Sequence, residues 1–380
     1  ESTVNKLADR LSMDPIVLRQ KNMIHEGDVM PAYYGETANS CRLEECLLKA
    51  SDMIGWKEKG MRTVMPDGKI RARGVAMAMQ GSSISNCDVG SVTVKLSDEG
   101  TYHITVGCTD MGTGCDTIIA QFAADVLETP IDNISVYGVD TDISPYDSGS
   151  YASSTTYLTG MAAVKACEQL RERIIALAAV RMNKDASALT FDGENVIDES
   201  DGAKMSLFDI ATASMCNNEI SLEVTYSHSS PVSPPPFMAA CAEIEADPET
   251  GAIELLDYTA CVDCGTVVNT NLARVQTEGG LLQGIGMTLY EDIWYDERGK
   301  NLSNSFMQYK VPSRLDTDRI RVEFDSSYEP TGPFGAKSIG EIVINTPAPA
   351  IADAVYNATG VWINELPITP EKILKGMKVI

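Results

Sequence analysis

The hydrophobic period of this chain changes at about Arg71, and that change constrains the fold more than any other feature. Before it, Leu7, Leu11, Ile16, Leu18 and then Leu43, Cys46 and Leu47 recur at helical spacing, with Asp14-Pro15 placed to start a helix. After it, Val92, Val94 and Leu96 alternate, Ser97-Asp98-Glu99-Gly100 turns the chain, and Tyr102, Ile104 and Val106 alternate again. That pattern is a β-hairpin. Further on, helices are expected over roughly 115–127, 153–182, 206–215, 272–288, 343–358 and 370–377, and strands over 134–139, 237–247 and 252–263. Strands and helices mixed in this way, with several hairpins, predict an α+β fold rather than a regular parallel sheet. The expected division is a helical N-terminal segment over 1–70, a first α+β subdomain over 71–205 and a second over 206–380.

Composition narrows the class. At 380 residues the chain can bury real cores in two or three domains. A net charge of -24 argues against nucleic-acid and anionic membrane partners, whose phosphates need clustered Lys and Arg. No uncharged apolar run approaches membrane-spanning length. No basic stretch followed by an apolar one marks a signal peptide, so the expectation is a cytoplasmic protein. The ten cysteines are scattered, and the one CxxC, Cys261–Cys264, lies in an alternating apolar run. A buried strand with free thiols in a reducing compartment is the expected reading, with no protein-ligated metal cluster. Three histidines far apart in sequence point the same way.

Four stretches carry more glycine or hydroxyl than scaffold needs. Gly107-Cys108-Thr109-Asp110-Met111-Gly112-Thr113-Gly114 joins a strand to a helix, where backbone N–H groups can cradle an anion. On its own such a turn is more often structural, and it fits neither GxGxxG nor the Walker pattern. Asp147-Ser148-Gly149-Ser150-Tyr151-Ala152-Ser153-Ser154-Thr155-Thr156 precedes the long helix, and plain N-capping would account for its hydroxyls. Gln276 to Gly286 places four glycines in a helical pattern, each costing about 1 kcal/mol against Ala. Either tight packing or a ligand must need the close approach there. Finally, Gly332 to Glu341 includes Gly335-Ala336-Lys337-Ser338, where Ala336 spoils a phosphate-loop pattern, and ends on Glu341. Glu341 is expected to open a helix, where the dipole favours an acid in any case.

In this order, the four stretches resemble the molybdenum-binding subunit of the xanthine dehydrogenase/aldehyde oxidase family, over its C-terminal half. Asp14-Pro15, Arg19 and Asn22-Met23 look like the segment just after that family's RGxG-type loop. Asp263-Cys264-Gly265, Asn269, Gln276 and Gly279-Gly280 look like its DCG…N…Q..GG stretch, and Gly340-Glu341 with Ala348, Ala350, Ile351 and Ala352 like its GE…A.AIA signature. The resemblance implies a molybdopterin cofactor, in the simple or the cytosine dinucleotide form, with molybdenum held by the pterin dithiolene and not by side chains. It assigns cofactor contact to Gly112, Thr113, Gly114, Ala152, Ser153, Ser154, Thr155, Thr156, Gln276 and Lys337, with Ala152 against the metal. It makes Glu341 the catalytic base for hydroxylating an electron-poor carbon, with water as the oxygen source.

The implied substrate is an aromatic N-heterocycle, purine or nicotinate-like. An aldehyde or an aromatic thioester would be the alternative within the family, and an inactive scaffold module the alternative outside catalysis. The implied partners are the upstream half of the subunit, an iron–sulfur subunit carrying 2Fe-2S and a flavin subunit carrying FAD, without which turnover is not expected. Two departures stand out: Thr113 replaces the Gln of the family's usual MGQG loop, and Thr270 replaces the Pro that commonly follows the Asn. An opening on Glu1 just past the RGxG loop, without the upstream FGG-type loop, is expected of a naturally split subunit or a piece of a longer one.

Overall fold

The computed structural model describes residues 1–380 except 32, 218–220, 314 and 317–318; the side chains of Cys216 and Asn217 also lie outside the described part. The chain divides into two compact units, one made of 1–80, 234–328 and 339–380, the other of 81–233 and 329–338. This division differs from the expected one at every joint. The reason is strand pairing: Ile70–Met79 pairs along its whole length with Phe237–Ala246, so the chain leaves the first unit near residue 80 and returns near 234. The helical opening is no separate domain either, because its helix Leu43–Ile54 packs on the strands Phe237–Ala246 and Ile253–Asp263.

In the first unit, a five-stranded sheet runs in the order Ile320–Phe324, Ile253–Asp263, Phe237–Ala246, Ile70–Met79, Arg62–Val64. Only the pair Ile253–Asp263 with Ile320–Phe324 is parallel. Both faces are covered, which is why the central strand Phe237–Ala246 is a nearly continuous buried run rather than an alternating one. Ala239, Cys241 and Cys261 face Cys46, Leu47 and Ala50 of the helix Leu43–Ile54. Met238, Ala240, Ala242 and Val262 point the other way, into a core with the helices Thr270–Leu289 and Pro347–Thr359. Cys261 and Cys264 are buried, as expected of a strand and its end.

Among the described residues, no strand pairs with Val75–Met79 on one side of the strand Ile70–Met79, since Arg62–Val64 reaches only Ile70–Ala72. Side chains satisfy that edge instead. Asp353 accepts from the Val75 N–H at 3.2 Å, Asn5 donates to the Val75 carbonyl at 3.1 Å, and Glu1 accepts from the Met77 N–H at 2.5 Å. Asn357 donates to the Arg73 carbonyl at 2.7 Å. The helix Pro347–Thr359 can sit so close because residue 74 is glycine: a Cβ there would lie 2.1 Å from the Ala350 carbonyl oxygen.

The helix Thr270–Leu289 resolves its own glycine puzzle. A Cβ on Gly280 would fall 2.2 Å from Val343 Cγ2, and one on Gly284 would fall 2.6 Å from Pro347 Cγ and 3.0 Å from the Ile344 carbonyl. Gly286 is crowded by Glu291 and Pro312, whereas Gly279 faces open space. Packing accounts for three of the four.

The second unit has a four-stranded sheet in the order Glu223–His228, Gly90–Leu96, Tyr102–Val106, Ile134–Tyr137, and a three-stranded one from Leu189–Phe191, Asn195–Asp198 and Lys204–Ser206. The hairpin of Gly90–Leu96 and Tyr102–Val106 is the one the alternation predicts. Val92, Val94, Ile104 and Val106 bury against the helices Cys115–Leu127 and Gly160–Met182. The long helix begins late. Residues 151–153 form a 3-10 turn and Thr155–Thr159 a π turn before the α-helix starts at Gly160. Among the described residues, no helix is long and apolar enough to cross a membrane.

Two outcomes follow. Gly284→Ala should lower stability by about 1–2 kcal/mol, because overpacking outweighs the helix-propensity gain, while Gly279→Ala should raise it by about 0.5–1 kcal/mol. Thermal melts of the two variants check this, and equal behaviour would remove packing as the explanation. The second concerns Asp353. Burial pushes its carboxyl up to about 7; the Val75 N–H and Arg19 pull against this, and Glu1 and Asp9 push with burial. A carboxyl raised in the folded state binds its proton more tightly there, so stability falls as pH rises from near 4 through about 7. The loss is up to roughly 4 kcal/mol. Asp353→Asn, whose amide oxygen still accepts from Val75, should flatten that dependence. Urea unfolding at pH 5 and pH 8 is the measurement, and parallel losses in both proteins would rule Asp353 out as the cause.

Candidate functional site

Glu341 is exposed, and its carboxylate Oε2 accepts a hydrogen bond from Gln80 Nε2 at 3.4 Å. It does not open an α-helix as expected. It precedes a three-residue 3-10 turn, Ile342–Ile344, and the helix starts only at Pro347. Pro347 and Pro349 explain the delay, since proline suits the first turn of a helix but not its interior. So short a turn has little dipole, and the geometry that places Glu341 is packing. Ile342 and Val343 are buried, and the helix Thr270–Leu289 meets this stretch at Gly280, against Val343, and at Gly284, against Ile344 and Pro347. Gln276, half-buried, sits one turn before Gly280 on that helix. Its N-cap is Asn269, whose side chain accepts from the Leu272 N–H.

The second unit holds the other residues singled out from sequence. The loop to Gly114 is closed around its own carboxylate. Asp110 accepts from the N–H groups of Gly112 at 2.9 Å, Gly114 at 3.1 Å and Asp116 at 3.4 Å. Burial would raise this carboxyl, but those N–H bonds outweigh it and hold it below the usual carboxylate range. The expected anion cradle is therefore filled by Asp110, to which the hydroxyl of the half-buried Thr113 also donates at 3.5 Å, and the loop is exposed at Gly112. Asp110, Cys115 and Asp116 bring ligand-type atoms within 4.8 Å of one another, but Asp110 is committed to the loop.

Gly107 lets this loop approach the next one: a Cβ there would lie 2.5 Å from both Asp147 Cβ and the Pro145 carbonyl oxygen. In that next loop, Ala152 and Ser153 both take left-handed backbone, at φ 51 and 55, which non-glycine residues adopt at a cost. The Ala152 carbonyl accepts from the Ser83 N–H at 3.0 Å. Ser154 is buried and donates to the Gly149 carbonyl at 2.9 Å, while Thr155 donates to Ser150 Oγ at the same distance. Thr156 is half-buried in the π turn. Lys337 is 2% exposed. Beside it, the Ser338 N–H donates to Ser82 Oγ and its hydroxyl to the Gly81 carbonyl, each at 3.0 Å.

The segment 81–88 of the second unit was not singled out from the sequence, yet it holds two buried polar atoms of note. Ser83 Oγ and Asp88 Oδ1 are buried with no hydrogen-bond partner among the described residues. Asp88 Oδ2 is used, accepting from the Ile84 N–H at 2.7 Å. The available signal was Gln80-Gly81-Ser82-Ser83, a polar insert between two strands.

Known proteins with the same features now place the chain. The profile of a molybdopterin cofactor-binding domain matches residues 49–318. The probable hypoxanthine oxidase XdhD of Escherichia coli K12 is 36% identical over 99% of this chain and 40% of its own length. The putative xanthine dehydrogenase molybdenum-binding subunit XdhA of the same organism is 30% identical over 98% of this chain and 51% of its own. Among solved structures, CO dehydrogenase from Oligotropha carboxidovorans superposes with a TM-score of 0.87 at 25% identity, covering 99% of this chain and 50% of that one. Quinoline 2-oxidoreductase from Pseudomonas putida 86 does so with a TM-score of 0.88 at 24% identity, covering 100% and 51%, and this likeness concerns the fold. The chain thus spans about half the length of these relatives or less. It belongs to the molybdopterin cofactor-binding domains of the xanthine dehydrogenase/aldehyde oxidase family.

Proposed function

We propose that this chain supplies the second half of the cofactor-binding subunit of a molybdenum hydroxylase, with Glu341 as the catalytic base. The observation that carries the reading is the placement of Glu341: an exposed carboxylate on a turn whose buried residues are seated on a glycine-cleared helix face. An exposed acid needs no such seat to stay solvated, whereas a base must be held within hydrogen-bond reach of the proton it takes.

The residues present fit a pterin cofactor. Ser83 Oγ and Asp88 Oδ1 are orphaned in the segment that holds the Ala152 carbonyl, and a pterin carries the N–H donors that such oxygens lack. A Cβ on Gly112 would meet nothing within 4 Å, so the loop rim is open to a ligand. The residues proposed to hold the cofactor are Gly112, Thr113 and Gly114 at that rim, Ala152, Ser153, Ser154, Thr155 and Thr156 at the start of the long helix, and Gln276 and Lys337. When bound, the cofactor would polarise a water-derived oxygen and would accept the hydrogen and the two electrons of the C–H bond that the substrate carbon gives up. Glu341 takes the proton that this oxygen releases as it bonds to an electron-poor carbon of the substrate. The carboxylate is regenerated when that proton passes to solvent, to which Glu341 is open.

The substrate class favoured is an aromatic N-heterocycle, purine or nicotinate-like, because the relatives named for hypoxanthine and xanthine match at 36% and 30% identity. An aldehyde is the second reading, supported by the aldehyde oxidoreductase subunit PaoC of Escherichia coli at 29% identity. The remaining half of the subunit, an iron–sulfur subunit with 2Fe-2S and a flavin subunit with FAD are the proposed partners, and the cytosine dinucleotide is a proposed form of the cofactor.

In the assembled, cofactor-loaded protein, Glu341→Gln should reduce turnover by about 100-fold or more, the range expected for a lost general base, with molybdenum and pterin content unchanged. Wild-type turnover in that variant would refute the role. Hypoxanthine, nicotinate and benzaldehyde, each assayed in water enriched in heavy oxygen, test the substrate class. A hydroxylated heterocycle carrying the label supports the reading, and activity on the aldehyde alone replaces it.

A further inference from the structure

We propose that Gln80 is a positioning residue for Glu341, an inference that rests on the reading of Glu341 as the base. The strand Ile70–Met79 is held in register from Ile70 opposite Ala246 to Met79 opposite Phe237. Gln80 is the next residue, so its Cα is fixed by a strand paired along its full length on that side. From there its Nε2 donates to Glu341 Oε2 at 3.4 Å. An amide donor on one carboxylate oxygen restricts rotation about the last side-chain torsion, which is broad for glutamate when nothing holds it.

The bond is long for a hydrogen bond, as bonds that orient a base often are before substrate arrives. Glutamine suits this task better than a charged donor. Arg or Lys would orient the carboxylate too but would also neutralise it, and a neutralised base is a poorer one. A glutamine keeps its donor at every working pH. The arrangement is the general one of a reacting group oriented by a neighbour that is itself held by the scaffold.

Two near-isosteric variants in the assembled, cofactor-loaded protein test the idea. Gln80→Met removes the donor and keeps the length of the side chain; Gln80→Glu keeps the shape and replaces the donor by an acceptor. Both should lower kcat by about tenfold, the loss of one hydrogen bond to a charged group, with KM changed less than twofold and molybdenum content intact. A filler role predicts that Gln80→Glu behaves like the parent. A substrate contact predicts a raised KM at unchanged kcat. Either result overturns the inference.

Glu341→Gln, assayed in parallel, separates this inference from the reading beneath it. If Glu341→Gln is slow and Gln80→Met is not, only the positioning role falls; if Glu341→Gln turns over normally, the base itself does. A crystal structure of cofactor-free Gln80→Met gives a readout independent of turnover. The Glu341 carboxylate should leave its parent position, and a carboxylate unmoved in that variant would also overturn the role.

Discussion

The first unit depends on backbone meeting backbone where the strand Ile70–Met79 passes under the helix Pro347–Thr359. A side chain at Gly74 would strike the Ala350 carbonyl and the Ala354 amide, so the contact exists only with glycine there. The closeness has a second effect. It brings Asp353 and Asn357 within reach of the strand's unpaired N–H and C=O groups, which would otherwise be buried without partners. The Val75 N–H is satisfied at the expense of burying a carboxyl, and the raised titration of Asp353 is the trace of that exchange. A sheet edge is normally finished by another strand, by charge or by a covering loop; here a helix finishes it with its own polar side chains.

The same clearance extends to the turn that carries Glu341. Pro347, the first residue of that helix, rests on Gly284, and Val343 rests on Gly280. The short connection from Glu341 to the helix is thus caught between two helices, one over the strand and one beside it. Gln80, at the end of that same strand, reaches Glu341 from another direction. Gln80 thus reaches the Glu341 carboxylate, while Gly280 admits Val343 two residues further on.

Element types were legible in the sequence because the periods are clean: the hairpin at Gly90–Leu96 and Tyr102–Val106, the buried strand carrying Cys261, and the glycine-bearing helix all lie where the pattern puts them. Two things were not legible, for different reasons. The division into units depends on Ile70–Met79 pairing with Phe237–Ala246, residues more than 150 apart, and a local period carries no information about pairing partners. The setting of Glu341 was misjudged because Gly340-Glu341 followed by apolar residues looks like a helix start; Pro347 and Pro349 move the true start six residues on. The glycines at 280 and 284 were read as needing a close approach, but the object approached, Val343 and Pro347, could be found only in three dimensions.

The two loops of the second unit that carry the resemblance to cofactor-binding stretches differ in one physical respect. The loop at Gly112–Gly114 is saturated from within, because Asp110 accepts the N–H groups that glycine spacing seemed to offer. The region around Ala152 is not saturated: the neighbouring Ser83 Oγ and Asp88 Oδ1 are buried and unpartnered, and Ala152 and Ser153 keep a left-handed backbone that side chains disfavour. An unmade hydrogen bond on a buried polar atom costs about 1–3 kcal/mol, and left-handed non-glycine residues add of order 1–3 kcal/mol each. A fold keeps such costs where binding repays them. Under the proposed function, then, the weight of cofactor recognition in this unit falls on the Ser83–Asp88 and Ala152–Ser153 segments. The Thr113 loop, which departs from the family's usual Gln, needs to supply only a rim. The Thr113 hydroxyl also takes part in closing that loop, donating to Asp110 Oδ1 at 3.5 Å.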